Sequence, residues 1–213
     1  MENPGGNDRA SAHEHMVIPG AASMPEHSLE SLQRSIVLIG IMGAGKSAIG
    51  RRLAARLELP FVDADQEIET AAGCAIEDIF ARFGEAEFRK GEERVIQRLL
   101  EGEKKVLATG GGAFMNARTR ATIRRLAVSV WLRADLDTLV RRVRRRNDRP
   151  LLKNGDQRGI MAGLIEQRYP IYAEADITVD STEGPHDIVI AATVEKLERY
   201  VAERPAALTA ETT

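Results

Sequence analysis

Ile36-Val-Leu-Ile39, then Gly40-Ile-Met-Gly-Ala-Gly45-Lys46-Ser47, then Ile49, Leu53 and Leu57 at steps of four: this stretch decides the fold. Four successive large aliphatic residues predict a strand buried on both faces. The steps of four place one apolar stripe along a helix. Between them the pattern G-x-x-x-x-G-K-S is a complete phosphate-binding loop, set after a strand and before a helix as that loop requires. Its glycines let successive backbone N–H groups curl inward onto phosphate oxygens, next to the positive end of the helix. Gly43, Ala44, Gly45, Lys46, Ser47 and Ala48 are the residues expected to hold the nucleotide. Lys46 is placed to neutralise the β- and γ-phosphates, and Ser47 to ligate Mg²⁺ through its hydroxyl. A dinucleotide fingerprint, Gly43-x-Gly45-x-x-Ala48, fits less well and leaves Lys46 unexplained. The loop predicts a nucleoside triphosphate but does not say what receives the phosphate.

Outward from the loop, apolar runs alternate with helical periods. Strands are expected at Pro60–Val62, Val106–Thr109, Val128–Leu132 and Ile177–Val179. Helical periods cover Gln66–Ala72, Ile76–Phe83, Glu85–Leu100, a segment capped by Asn116 and running to Leu126, and Asp135–Arg146. A closing helix carries Ile190, Val194, Leu197 and Val201, with Pro185 near its start. Strands separated by helices predict an α/β fold of three layers, a five-stranded parallel sheet with helices on both faces. Ligands in such folds bind beyond the carboxyl ends of the strands. The domain is expected over residues 35–203, with a disordered extension at 1–34, a mobile lid at about 144–163 and a flexible tail at 204–213.

The chain has 213 residues, within reach of one domain at roughly 100–200 residues each. Its net charge of −2, from 30 basic and 32 acidic residues, does not suggest a general nucleic-acid binder. No apolar run approaches the roughly 20 residues of a membrane helix, and no secretory signal is recognised. The lone Cys74 cannot form an internal disulfide, which points to a reducing compartment and a cytoplasmic address. His13, His15 and His27 lie in the extension without metal-ligand spacing.

Three further patterns concern the acceptor. Asp63 and Asp65, two apart in extended chain at the end of a strand, share one face. One could serve a Mg²⁺ shell while the other accepts a hydroxyl proton, and the same pair could simply cap a helix. Arg89 stands three and four residues before Glu92 and Glu93, which also fits a surface ion pair. Gly110-Gly-Gly112 follows a strand and offers backbone without side chains, suited to close ligand approach or to a mobile turn. Six arginines between Arg141 and Arg149 precede Pro150-Leu-Leu and the Gly-containing stretch Lys153–Gly163. They suit a basic flap that closes over triphosphate and excludes water.

Together the phosphate loop, Phe61-Val-Asp-Ala-Asp65 with Glu67-Ile-Glu69, Ile79-Phe80 with Phe88-Arg89, Gly110–Gly112, Arg149-Pro-Leu-Leu152 and Arg168-Tyr-Pro-Ile-Tyr172 resemble the shikimate kinase family. The resemblance spans about residues 35–200. It implies a P-loop fold of the nucleoside monophosphate kinase group that transfers the γ-phosphoryl group of ATP to the 3-hydroxyl of shikimate, with Mg²⁺. It also implies roles: Asp63 in the Mg²⁺ shell, Asp65 as base, and Arg89 and Arg168 on the shikimate carboxylate. Gly111 and Gly112 would supply N–H groups, Glu92 would orient the arginine side, and Arg149 would be the lid arginine. Arg142 would lie against adenine beside Asp180–Pro185, although the dense arginine run leaves that contact open among Arg142, Arg144 and Arg145. A monomer without nucleic-acid or membrane partners is the family expectation. A gluconate kinase, also acting on a hydroxylated acid, and a non-catalytic nucleotide-binding regulator are the competing readings.

Overall fold

The computed structural model describes residue 29, residues 31–144 and residues 156–204. Its strands are β1 (Ser35–Ile39), β2 (Phe61–Asp63), β3 (Val106–Ala108), β4 (Ala127–Arg133) and β5 (Ile177–Asp180). They form one parallel sheet in the order β2-β3-β1-β4-β5. Every residue of the central β1 is buried, as its unbroken aliphatic run requires. Val37 stands opposite Leu107 of β3 on one side and Ser129 of β4 on the other.

Parallel neighbours need long crossovers, and helices supply them. They are α1 (Lys46–Arg56), α2 (Ala64–Ala72), α3 (Ile76–Glu101), α4 (Ala117–Leu126), α5 (Leu136–Arg144), α6 (Gln157–Tyr172) and α7 (His186–Glu203). After β1 the chain builds β2 and β3 on one side and then crosses to β4 on the other. This opens a crevice beyond the carboxyl end of β1. Gly50 lets α1 lie close to the sheet: a Cβ there would come within 2.5 Å of the Phe61 ring and 3.0 Å of Leu38 Cδ1. That close contact holds the start of α1, and with it the phosphate loop, against the central strands.

Several local expectations meet their physical cause. The break expected between Phe83 and Glu85 is a kink within α3, where Gly84 takes φ 77° and ψ 173°. Asn116 caps α4, its Oδ1 accepting from the N–H groups of Arg118 and Thr119. Pro185 occupies the position before α7. Cys74 is half-buried one residue before the cap of α3, against the small cluster of Ile68, Ile79 and Phe88.

Two differences also emerge. Leu32, inside the stretch expected as extension, is buried in the core, and Lys104 Nζ donates to its carbonyl. The core therefore reaches back beyond residue 35. Residues 157–163, expected as part of a lid, are the first turns of α6, which sequence periodicity does not announce. Gly159, Gly163 and Pro170 interrupt its pattern, and tertiary contact of Met161 and Tyr172 holds the helix instead. Arg144 is the last described residue of α5; Arg145, Arg149 and Pro150–Leu152 lie outside the described residues, as do the three histidines of the extension.

Candidate active site

The phosphate loop keeps its shape through glycines that other residues could not replace. Gly40, Gly43 and Gly45 take φ of 149°, 85° and 93°. A Cβ on Gly40 would also come 2.8 Å from the carbonyl oxygen of Leu132 on β4. Lys46 Nζ donates to the carbonyls of Gly40 at 2.7 Å and Ile41 at 3.2 Å. Its ammonium is thus held at the loop, where phosphate oxygens can replace those carbonyls.

Asp63 caps α2 and also meets the phosphate loop. One oxygen accepts from the N–H of Asp65 at 3.2 Å, starting α2, and the other accepts from Ser47 Oγ at 2.7 Å. A hydroxyl and a carboxylate paired beside the phosphate loop are hard oxygen donors that fit Mg²⁺. Among the described residues no group of three His, Cys, Asp or Glu could hold a metal ion. A Mg²⁺ ion bound through substrate phosphates and water needs no such cage.

At the far end of the same cleft, the glycine triplet is packed from three sides. A Cβ on Gly110 would meet Asp65 Oδ1 at 2.7 Å and Glu92 Oε1 at 3.0 Å. On Gly111 it would meet Arg168 Nη1 at 3.1 Å, and on Gly112 Arg89 Nη2 at 2.4 Å. The triplet is therefore bare because two arginines and two carboxylates occupy the space its side chains would fill. Arg168 Nη1 donates to the Gly111 carbonyl at 2.9 Å, and the Tyr172 hydroxyl donates to the same oxygen.

Arg89 does pair with Glu92, at 2.7 Å, but its second partner is Glu85, at 3.1 Å, and not Glu93. Glu93 instead faces α4, accepting from Asn116 Nδ2. Glu92 is only 1% exposed, and its Oε1 has no hydrogen-bond partner among the described residues. Burial pushes its carboxyl above the ordinary glutamate range, against the pull of Arg89; nearby Asp65 adds to the rise and Arg168 opposes it. Burial works against the charge on Arg89, but Glu92 and Glu85 outweigh it and hold its pKa above the usual value. The guanidinium is thus fixed as a cation facing the cleft. Phe80 and Phe88, ring centroids 4.5 Å apart, wall this end of the cleft.

Arg142 settles at the phosphate loop. It donates to the carbonyls of Gly43 at 3.3 Å and Thr182 at 2.6 Å, and to Ser181 Oγ at 2.9 Å. Ser181 Oγ in turn donates to the Ala44 carbonyl at 2.9 Å. Burial lowers the Arg142 pKa from its usual value. Arg144 is exposed and does not line the cleft. A single cleft of about 1320 Å³ thus runs from Gly43, Gly45, Lys46 and Ser47, past Asp63 and Asp65, to Arg89, Gly111, Gly112 and Arg168. Arg142, Glu183, Gly184 and His186 border its nucleotide side. The linking roles of Tyr172 and Ser181 are not visible in the sequence motifs, although the four-residue step from Arg168 to Tyr172 marks one helix face.

The family model for shikimate kinase matches residues 42–198, which contain both ends of this cleft. The chain belongs to the shikimate kinase family. A shikimate kinase from Bradyrhizobium diazoefficiens is 54% identical over 191 residues, 89% of this chain and 92% of that protein. Among solved structures, shikimate kinase from Acinetobacter baumannii in complex with shikimate aligns with a TM-score of 0.75 and 34% identity, covering 81% of this chain and 97% of that one. A gluconokinase from Sinorhizobium meliloti aligns at TM-score 0.55 but 17% identity, covering 81% and 95%, which is a likeness of fold alone. As a shikimate kinase family member with a P-loop, nucleoside monophosphate kinase-like fold, the chain is an ATP-dependent small-molecule kinase.

Proposed function

We propose that this cleft transfers the γ-phosphoryl group of ATP to the 3-hydroxyl of shikimate, releasing shikimate 3-phosphate and ADP for aromatic amino acid synthesis. One arrangement carries the reading: two arginines and a bare glycine turn face a carboxylate, Asp65, in the same cleft as the phosphate loop. A hydroxylated ring acid needs a planar cation for its carboxylate and an acceptor for its reactive hydroxyl, and these residues supply both.

The division of labour follows. Gly43, Ala44, Gly45, Lys46, Ser47 and Ala48 hold the phosphates, and Lys46 neutralises charge as it shifts toward the leaving ADP. Ser47 and Asp63 hold Mg²⁺, which when bound balances the charge of the β- and γ-phosphates. Arg89 and Arg168 grip the carboxylate, with the N–H groups of Gly111 and Gly112 beside them. Asp65 accepts the proton of the attacking hydroxyl. Arg142 lies along the nucleoside; Arg149 lies outside the described residues, and the family resemblance assigns it to the phosphates. Positioning and charge balance do most of the work in such a transfer. The enzyme acts as a cytoplasmic monomer without nucleic-acid or membrane partners. Among the described residues no helix is long and apolar enough to cross a membrane.

A coupled assay of ADP release with shikimate, gluconate, nucleoside monophosphates or no acceptor tests the reading. Turnover should require shikimate and should fall sharply in Asp65→Asn. Equal turnover without an acceptor would refute it.

A further inference from the structure

Tyr172 is 1% exposed, and its hydroxyl donates to the carbonyl of Gly111 inside the glycine triplet. That oxygen also accepts from Arg168 Nη1 at 2.9 Å, so two donors from one helix occupy both of its lone pairs. Arg168 and Tyr172 stand four residues apart on α6 and share a face. The peptide between Gly111 and Gly112 is trans, so the Gly112 N–H is directed opposite to the pinned carbonyl.

A buried hydroxyl needs a partner, and any main-chain carbonyl would satisfy it. The choice of this one has a consequence for the site. The Ala113 N–H closes this turn onto the Gly110 carbonyl at 3.2 Å, but with glycine at both central positions that closure alone lets the central peptide point either way. Tyr172 can fix it because its ring is set in the core, with centroids 6.0 Å from Trp131 and 6.4 Å from Phe114.

We propose that Tyr172 is a positioning residue for shikimate: its hydroxyl pins the Gly111 carbonyl and thereby sets both the Arg168 guanidinium and the Gly112 N–H in the carboxylate grip. The inference rests on the reading that Arg168 and the triplet hold that carboxylate. Tyr172 acts through Gly111 and Arg168.

Tyr172→Phe keeps the ring and removes the hydroxyl alone. The shikimate KM should rise about 5- to 20-fold, the range expected when one hydrogen bond of a charged network is lost. The ATP KM and kcat should stay within about twofold, a split that a general loss of packing would not produce. Emission of Trp131, the only tryptophan in the chain, should be unchanged if the ring packing survives. A variant that melts below the assay temperature is read by calorimetric titration with shikimate in the cold, where the same loss of affinity is expected. An unchanged shikimate KM or affinity, or equal rises for both substrates, overturns the proposal. Arg168→Ala run alongside separates the two levels. If it too leaves shikimate binding untouched, the carboxylate reading fails; if it alone weakens binding, only the role of Tyr172 fails.

Discussion

Replacing Gly112 by alanine isolates the acceptor grip from the rest of the molecule. Gly112 sits at φ −98° and ψ −15°, which alanine adopts without strain. Restricting the unfolded chain favours the variant by about 0.4–1 kcal/mol. The added methyl, however, would lie 2.4 Å from Arg89 Nη2 and 2.6 Å from Cζ and Nη1. An ordinary contact needs about 3.4 Å or more, so the guanidinium must retreat by about 1 Å. That movement stretches or breaks its 2.7 Å bond to Glu92 and turns its face from the incoming carboxylate. A charge-assisted bond of this kind contributes about 1.5–3 kcal/mol, which predicts a rise in shikimate KM of roughly 10- to 100-fold. The ATP KM should not move, because the phosphate loop is untouched. Steady-state kinetics with each substrate varied in turn, beside a thermal melt, would measure this. A shikimate KM within twofold of the parent enzyme would refute the placement of Arg89 in the grip.

Lys46→Ala should lower kcat by about 10²–10³-fold, the scale for losing one preorganised donor to developing charge, with single-turnover rates as the measure. Glu92 should make stability depend on pH. Its folded pKa lies above the unfolded one, so the folded state binds more protons between the two values, and its contribution to stability falls as pH rises through that window. Melting of the parent and of Glu92→Gln across acidic to neutral pH should show the parent losing ground to the variant; the opposite trend would contradict the burial argument. Asn116→Ala removes the cap of α4 and the bond to Glu93, and should cost about 1 kcal/mol in denaturant titration with little change in kinetics.

The strand–loop–helix unit around Gly40–Ser47 was legible because each level agreed: an aliphatic run, glycines where φ is positive, and a single apolar stripe. Asp63 and Asp65 were legible as a pair, with cap and function left as alternatives; in the fold one Asp63 oxygen caps α2 while the other accepts from Ser47 Oγ. Helix α6 was hidden because Gly159, Gly163 and Pro170 erase the period that would announce it, while contacts far along the chain stabilise it. The pairing of Arg89 was half visible. Glu92 follows from spacing, whereas Glu93 is drawn away by α4, an element 23 residues distant at Asn116. The hydroxyl contacts of Tyr172 and Ser181 depend on segments that meet only in three dimensions, over separations of 61 and 137 residues.

The three bare positions at Gly110, Gly111 and Gly112 have a bearing on how the enzyme could evade a drug. Each borders a different group of the cleft, so a side chain introduced at any of them presses on a residue of the proposed carboxylate grip or on the carboxylates beside it. An inhibitor that leans its acid group on this turn meets a surface where the commonest escape, a bulkier neighbour, disables the catalyst along with the compound. Resistance would have to arise elsewhere, at the aromatic wall of Phe80 and Phe88 or on the nucleotide side.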